Sequence, residues 1–406
     1  MQNIHIPEQL LEQYSQTPSE KSIMYACWML IVVTFILLFG LTMLYSTSYD
    51  PAYYGVEYFK KQLQWTVVGL FAGITAFIIG HKKLSEVSIF FMLLAIVLLV
   101  VADFCFPAIK GAHRWIKLKG IIGISANIQP SELAKIAFAL YLSKFCAANM
   151  RYINEIFRPK SLFFFGVCGT MIALVLVGKD LGTTLLLVAV LAIVLFVTGL
   201  RLRWLVPPAV VFLSSLFLLI KYFDQERWSR IISFLDPEAC RSEGGYQLWN
   251  SLLAFGSGSW FGIGFGESRL KAKYLPEAHT DFILSIVGEE LGLIALSLVI
   301  LAYLAFAWFA LKISLNSRTR QGTLLGLALT SIIILQAIIN IGVVCGAFPT
   351  KGMPAPFISY GGSNLVMVLT SVGLLMSIAA ETASRGFHEE LLESLKTTVL
   401  FWKKKQ

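Results

Sequence analysis

The sequence predicts an all-α polytopic membrane protein with about ten transmembrane helices and a large extracytoplasmic loop between helices 7 and 8. Composition is the first observation behind this prediction. Of the 406 residues, 57% are hydrophobic and only 14% are charged, and the mean hydropathy is +0.73. A soluble domain is far less apolar. The second observation is a series of apolar runs that are long enough to cross the hydrocarbon core of a bilayer.

Ten such runs divide the chain. They lie at about 22–45, 62–80, 87–107, 133–148, 161–178, 181–200, 204–220, 282–311, 322–346 and 364–383. The fourth run is short, as in a tilted or partly re-entrant helix. The first run is long enough to span, so we expect a retained helix and no cleaved signal peptide. We expect a cytoplasmic tail at 1–21, a transmembrane domain at 22–384 with its large loop at about 221–281, and a second cytoplasmic tail at 385–406.

The distribution of Lys and Arg predicts the orientation. Ten spans place both termini on one side, with 17 of the 33 Lys and Arg residues on that side and 16 on the other. Seven of the 16 lie in the loop 221–281, which is too long to follow the positive-inside rule, and without it the counts are 17 and 9. We therefore expect cytoplasmic termini. The segments near 108–132, 221–281 and 346–363 then open to the opposite face.

Charge and cysteine content exclude several classes of function. The net charge is +9, but no soluble domain is large enough to carry a nucleic-acid-binding face, so anionic lipid or an anionic lipid-linked substrate is the better partner. The six cysteines form neither a disulfide framework nor a metal-type CxxC pattern.

The stretch 275–283, Leu-Pro-Glu-Ala-His-Thr-Asp-Phe-Ile, places three ionisable groups at the start of the eighth run. A carboxylate such as Asp281 costs about 2.5 to 3.5 kcal/mol at the centre of a bilayer and less at its interface. Its presence there indicates a function. The alternative is that Asp281 or Thr280 only caps the helix, and the residues alone leave both interpretations open.

Two polar segments lie between the third run and the start of the fourth. Arg114 lies in Gly111–Leu118, where cations alternate with apolar side chains, a pattern that interfacial anchoring also explains. In Gln129–Lys135, Glu132 and Lys135 lie on one face of a helix start. A local ion pair is the alternative to a functional role for these two residues.

The long loop contains Arg227 and Arg230, followed by the glycine-dense stretch Gly256–Gly266. Arginines bind phosphate oxygens in a forked geometry, and glycines allow a backbone to approach a ligand closely. A further polar segment, Lys179–Thr184, is explained most simply as a tight turn between two spans.

Two more features lie beyond this loop. Glu289 and Glu290 are adjacent acids inside the eighth run, so at least one should face a protein or water-filled interior, and Glu289 should share a helical face with Asp281. Pro349–Asn364 is a rigid, non-helical segment. Such backbone is tolerated at membrane depth only when it is buried in protein or lines a cavity, although plain loop rigidity is the alternative.

Taken in order, these segments resemble the SEDS family (shape, elongation, division and sporulation), the polytopic peptidoglycan glycosyltransferases. The resemblance covers about Met24 to Ala383. It is carried by Gly111–Ile116, Gln129–Lys135, Lys179–Thr183, Tyr246–Gly266, Leu275–Gly292 and Pro349–Ser363. Pro-Glu-Ala-His-Thr-Asp-Phe at 276–282 and Pro-Thr-Lys-Gly at 349–352 are more similar to the division branch than to the elongation branch. Ser259-Trp260 and Asn364 depart from the usual pattern but leave the ionisable positions intact.

The resemblance implies polymerisation of lipid II at the outer face of the cytoplasmic membrane, for septal wall synthesis. Asp281 matches the proposed catalytic aspartate, which acts as the base for the acceptor hydroxyl. Lys351, with Arg227 and Arg230, supplies positive charge to the departing diphosphate. The further substrate-binding candidates that it implies are Glu277, His279, Glu289, Lys135, Glu132, Arg114, Ser359, Gly361 and Gly362.

The expected partners are lipid II, a cognate class B penicillin-binding protein and other divisome membrane proteins, but not nucleic acid. We expect no protein-held metal site and name no cofactor apart from a divalent cation at the diphosphate. The alternative functions are a lipid II flippase, a non-catalytic divisome scaffold and an elongation role. A flippase or a scaffold has little need for a carboxylate such as Asp281 at the outer edge of a span.

Overall fold

The structure, a computed structural model, describes residues 20–48, 57–107, 114–117, 127–240, 245–273, 275, 278–384, 386–389 and 391–393. Positions 1–19 of the expected N-terminal tail and most of the expected C-terminal tail lie outside the described residues.

Helices dominate the described part of the chain. They are α1 (Glu20–Ser48), α2 (Glu57–Ile79), α3 (His81–Glu86), α4 (Ser88–Cys105), α5 (Pro130–Asn149), α6 (Pro159–Val177), α7 (Leu181–Thr198), α8 (Leu202–Phe223), α9 (Gln225–Leu235), α10 (Tyr246–Gly258), α11 (Leu270–Lys273), α12 (Ile283–Glu290), α13 (Gly292–Leu315), α14 (Arg320–Val344) and α15 (Gly362–Ala383). A 3₁₀ turn follows α5 at Met150–Tyr152. Strands β1 (Ile116–Lys117) and β2 (Asn127–Ile128) pair antiparallel, with Ile116 opposite Ile128.

Nine of the described helices are long and apolar enough to span a membrane: α1, α2, α4, α6, α7, α8, α13, α14 and α15. Helix α5 is the tenth of comparable length, about 30 Å at 1.5 Å per residue. Its charged residues lower its hydropathy, and the bundle compensates by burying most of its length. The ten predicted apolar runs therefore correspond to ten long helices, and the polytopic all-α class is confirmed.

The eighth span is discontinuous, which the apolar run at 282–311 did not predict. Helix α12 ends at Glu290, and α13 begins at Gly292, whose φ of +76° suits glycine. The freed backbone groups still have partners. The Leu293 N–H donates to the Ser259 carbonyl at 2.9 Å, and the Ile294 N–H donates to the Trp260 carbonyl at 3.3 Å. The loop after α10 therefore closes the break.

Glycines allow α2 and α15 to pack closely. A Cβ atom on Gly73 would lie 2.7 Å from the Leu369 carbonyl oxygen, and one on Gly373 would overlap the backbone of Gly73. Small residues at such contacts are typical of membrane helix pairs. Helix α15 is consequently central, with 72% of its spanning window buried, whereas α8 is peripheral, with 6% buried.

Candidate active site

Four connections between spans enclose a cavity of about 490 Å³. They are the α4–α5, α6–α7, α8–α9 and α14–α15 connections, which all lie on one side of a ten-pass bundle. The ionisable side chains that line it are Arg114, Lys179, Asp180, Asp224, Glu226, Arg227, Arg230 and Lys351. Five of these described residues are basic and three are acidic, so the cavity favours an anion. Ile220, Ile231, Ile339 and Val343 add an apolar wall. A ligand with an anionic head and a lipid tail fits this combination.

Arg227 and Arg230 are carried by the short amphipathic helix α9. Asp224 caps this helix by accepting from the Arg227 N–H at 3.1 Å, and its other oxygen lies 3.2 Å from Arg227 Nε. Arg227 Nη2 also donates to the Lys179 carbonyl at 2.7 Å. Burial lowers the pKa of the Arg227 guanidinium from its ordinary value. Arg230 is more exposed and pairs with Glu226 at 2.6 Å. Arg227 is therefore the better fixed of the two cations.

Lys351 lies on the non-helical α14–α15 segment and lines the same cavity. Burial lowers its pKa from 10.5 to about 8, with Asp180 opposing this shift and Arg227 adding to it. Gly182 makes room for the lysine, since a Cβ atom there would lie 3.1 Å from Lys351 Cε. The amine is thus held inside the cavity with a lowered pKa.

Asp281 lies in the turn 278–282 that precedes α12. Phe282 occupies the N-cap position of α12, so neither Asp281 nor Thr280 does. The Asp281 carbonyl accepts from Asn340 Nδ2 at 2.8 Å. Its carboxylate lies against Gly352, where a Cβ atom would be 2.7 Å from Asp281 Oδ2. Asp281 is not among the residues that line the cavity, but its carboxylate contacts Gly352, which lines the cavity and follows Lys351 in the chain.

Asp180 organises one wall of the cavity. It is 4% exposed and caps α7 by accepting from the Thr183 N–H at 3.2 Å and from the Thr183 hydroxyl at 2.9 Å. Ser131 Oγ and Gln129 Nε2 donate to Oδ2 at 2.9 and 3.1 Å. Arg114 Nη1 lies 4.0 Å from Oδ1. The predicted tight turn is confirmed, but its aspartate also joins the start of α5 to the cavity.

Glu132 and Lys135 do not line this cavity. They form a buried ion pair at 2.7 Å with side chains that are 5% and 4% exposed. Glu132 also accepts from Asn364 Nδ2 at 2.9 Å, and Lys135 donates to Gln336 Oε1 at 2.9 Å. The ion-pair interpretation describes these residues, and burial leaves them no surface for a substrate in this structure. They connect α5 with α14 and α15.

Glu289 is likewise buried, at 2% exposure. Its carboxylate accepts from the Ser268 hydroxyl, and from the Arg269 N–H at 3.2 Å. The predicted shared face with Asp281 is wrong because α12 begins only at Ile283. These bonds anchor the loop after α10, and the substrate-binding role of Glu289 stays a prediction.

Glu290 completes this anchor. Its carboxylate accepts from Lys271 Nζ at 2.9 Å and from Ser46 Oγ at 2.6 Å. Gly258 and Gly262 of the glycine-dense stretch approach the backbone of α12 so closely that a Cβ atom on either would overlap it. These two glycines therefore serve helix packing and not the approach of a ligand.

The remaining predicted residues shape the segment around Asp281. The His279 ring stacks on Tyr58 at 4.3 Å between centroids, and its carbonyl accepts from the Tyr360 N–H at 2.9 Å. The Ser359 hydroxyl accepts from the Ala355 N–H at 2.8 Å and so closes a turn.

Two glycines fix where α15 begins. The Gly361 N–H donates to Gln62 Oε1 at 3.3 Å, and Gly362 packs against the ring of Trp65, with no room for a side chain. None of His279, Ser359, Gly361 and Gly362 lines the described cavity. Glu277 lies outside the described residues.

Sequence reasoning missed Gln336 and Asn340 on α14. Both are buried, and their amides donate to the Pro354 carbonyl at 2.8 Å and to the Met353 carbonyl at 2.7 Å. The signal was present, because two amide side chains four residues apart on one helical face are unusual in an apolar run.

The carboxylates of the cavity are already engaged by the protein. Asp180 accepts four hydrogen bonds, Asp224 pairs with Arg227 and Glu226 pairs with Arg230. Across the described residues, His, Cys, Asp and Glu form no group of three that suits a metal ion. These residues do not fit a dedicated protein-held cation site. A divalent cation carried by the diphosphate itself stays a prediction.

Comparisons with known proteins agree with this architecture. A family model for cell cycle proteins of the FtsW, RodA and SpoVE type matches residues 26–384. A probable peptidoglycan glycosyltransferase FtsW from Geobacter metallireducens is 35% identical over 364 residues, which cover 87% of this chain and 94% of the relative. Stage V sporulation protein E from Bacillus subtilis is 33% identical over 367 residues, which cover 86% and 96%.

Solved structures share the fold. One, from a study of how a peptidoglycan synthase complex coordinates polymerisation and crosslinking, has a TM-score of 0.71 at 22% identity and covers 87% of this chain and 97% of its own. The rod shape determining protein RodA of Thermus thermophilus has a TM-score of 0.63 at 23% identity, with coverage of 87% and 96%. The chain therefore belongs to the FtsW/RodA/SpoVE family of cell cycle proteins.

Proposed function

We propose that this chain polymerises lipid II into glycan strands at the outer face of the cytoplasmic membrane. The chain is an integral membrane protein and a peptidoglycan glycosyltransferase. The observation that carries the proposal is the placement of the Asp281 carboxylate against Gly352, which lines the cavity together with Lys351 and Arg227. A base and an anion-binding site thus lie side by side, as glycosyl transfer from a lipid diphosphate requires.

Asp281 acts as the general base in this proposal. The acceptor sugar hydroxyl loses its proton to the carboxylate as its oxygen attacks the anomeric carbon of the growing chain. A new C–O bond forms, and the bond to undecaprenyl diphosphate breaks with inversion. Lys351 and Arg227 stabilise the negative charge that develops on the departing diphosphate, with Arg230 and Arg114 as further cations of the cavity.

The position of the cavity in the bundle indicates the membrane face to which it opens. The cavity is built from connections on the side opposite the C-terminal end of α15. The Lys and Arg counts favour cytoplasmic termini, so the cavity opens to the extracytoplasmic face. This is the face on which a polymerase would meet translocated lipid II.

A class B penicillin-binding protein and other divisome membrane proteins are the proposed partners, and the division septum is the proposed location. The FtsW name of the relatives supports the division branch. A fluorescent fusion tests this location, with a midcell band expected. A signal along the sidewall would favour the elongation branch instead.

Replacement of Asp281 tests the catalytic assignment. We expect Asp281→Asn and Asp281→Ala to abolish glycan polymerisation from lipid II by the purified protein with its partner transpeptidase, because neither side chain accepts the proton. Both variants should still insert into membranes and bind the partner. Normal glycan chains from a clean preparation of Asp281→Ala would exclude Asp281 as the base. A flippase or a scaffold would keep its activity in both variants.

A further inference from the structure

Asn340 links the two parts of the candidate active site. Its side-chain nitrogen donates to the Asp281 carbonyl at 2.8 Å and to the Met353 carbonyl at 2.7 Å. An amide NH₂ group has two hydrogens, so both donors are used. The residue is 1% exposed, and each bond is therefore made away from bulk water.

These two bonds join segments that are far apart in the sequence. Asp281 and Met353 are 72 positions apart, yet one nitrogen atom contacts both carbonyls. Gly352 precedes Met353 and lies against the Asp281 carboxylate. Lys351 precedes Gly352 in the chain and lines the cavity. Together with the backbone bond from the Tyr360 N–H to the His279 carbonyl, this side chain thus holds the base near the cationic cavity.

The arrangement also fixes the orientation of the amide. Its oxygen, Oδ1, has no hydrogen-bond partner in the described part of the chain. A flipped amide would place this oxygen against two carbonyl oxygens, so only one orientation is favourable. A buried acceptor without a partner costs free energy.

Gln336 offers an internal comparison. It lies one turn earlier on α14 and donates to the Pro354 carbonyl at 2.8 Å, next to the Asn340 acceptor. Its own oxygen accepts from Lys135, which leads away from the cavity. Gln336 therefore holds the same loop as Asn340 but does not contact the turn that contains Asp281.

We propose that Asn340 is a positioning residue that holds the Asp281 turn and the Lys351 segment in register for glycosyl transfer. It contacts no reacting group and acts only through the two backbones. This role rests on the proposed function, since it presupposes that Asp281 and Lys351 act on one substrate.

Matched variants test the role. Asn340→Leu removes both donated bonds, the isosteric Asn340→Asp keeps at most one, and Gln336→Leu removes the neighbouring bond to the same loop. We expect Asn340→Leu to lower kcat by about 10-fold to 100-fold with KM within about 3-fold, because misplaced groups slow chemistry more than binding. Asn340→Asp should lower kcat at least as much, because its carboxylate places an oxygen against both carbonyl oxygens. Gln336→Leu should lower kcat by less, even where its thermal unfolding temperature falls further.

Hydrogen exchange gives a readout that does not depend on activity. Asn340→Leu should raise exchange in the turn 278–282 and in the segment 349–354, whereas Gln336→Leu should raise it only in the second. If the wild type makes no glycan but the two variants show this exchange pattern, the proposed function fails and the structural link stands. If Asn340→Leu matches Gln336→Leu in both kcat and exchange, the positioning role is wrong.

Discussion

Replacing Gly352 by alanine tests whether the carboxylate of Asp281 must stay where the structure places it. The added Cβ atom would lie 2.7 Å from Asp281 Oδ2, whereas ordinary contacts begin near 3.4 Å. The backbone of Gly352 has no positive φ, so alanine fits the local conformation. Relief of the overlap must therefore come from a movement of about 0.7 Å, and the aspartate side chain is the softer partner.

The expected loss of rate follows from this displacement. A misplacement of about 1 Å at a reacting group can cost about 100-fold in rate. We therefore expect Gly352→Ala to lower kcat by about 10-fold to 100-fold, or about 1.4 to 2.7 kcal/mol in the activation free energy. Stability should change little, because the methyl group meets a movable carboxylate and not a backbone atom.

The assay is glycan polymerisation from lipid II with the partner transpeptidase, at saturating substrate. Gly256→Ala serves as the matched control, because it adds the same methyl group in α10, where no atom lies within 4 Å. It should keep wild-type activity. If Gly352→Ala polymerises at the wild-type rate while both variants fold, the Asp281 position does not limit catalysis and the assignment of the site is wrong.

Two further predictions concern the charges. Lys351 carries its proton below a pKa of about 8 and loses it above, so kcat/KM should fall as pH rises through that value. Lys351→Arg stays charged and should flatten this alkaline limb of the pH profile of kcat/KM. An unchanged alkaline limb in Lys351→Arg would exclude Lys351 as its source. Lys135→Met leaves Glu132 buried without its cation and should reduce stability by about 3 to 5 kcal/mol. Adding Glu132→Gln to Lys135→Met should restore part of the lost stability. Equal thermal unfolding temperatures of Lys135→Met and the wild type would show that the ion pair contributes nothing to stability.

Much of the fold could be predicted from the sequence because the bilayer imposes a length on every span. The first predicted run, 22–45, became α1 at Glu20–Ser48, and the tenth, 364–383, became α15 at Gly362–Ala383. The helix boundaries differ from the ends of the runs by only a few positions. The short fourth run became a full helix, because burial inside the bundle compensates for its polar start at Glu132.

The active site was predictable only in part. Asp281 and Lys351 stood out as ionisable groups at span ends, but their link through Asn340 is a contact between distant parts of the chain. Local periodicity cannot show such contacts. The roles of Glu289 and Gly258 were also hidden, since an acid can face a cavity or a neighbouring loop, and a glycine can admit a ligand or a helix. Only the packing around each residue distinguishes these cases.

The break between α12 and α13 limits how the protein tolerates insertions. The N–H groups of Leu293 and Ile294 belong to a span, yet their acceptors, the carbonyls of Ser259 and Trp260, come from a loop more than thirty residues earlier. An epitope tag placed between Trp260 and Gly264 would pull these acceptors away and leave amide donors bare near lipid, at a cost of several kcal/mol each. Loop length is therefore constrained here as strictly as helix length is elsewhere.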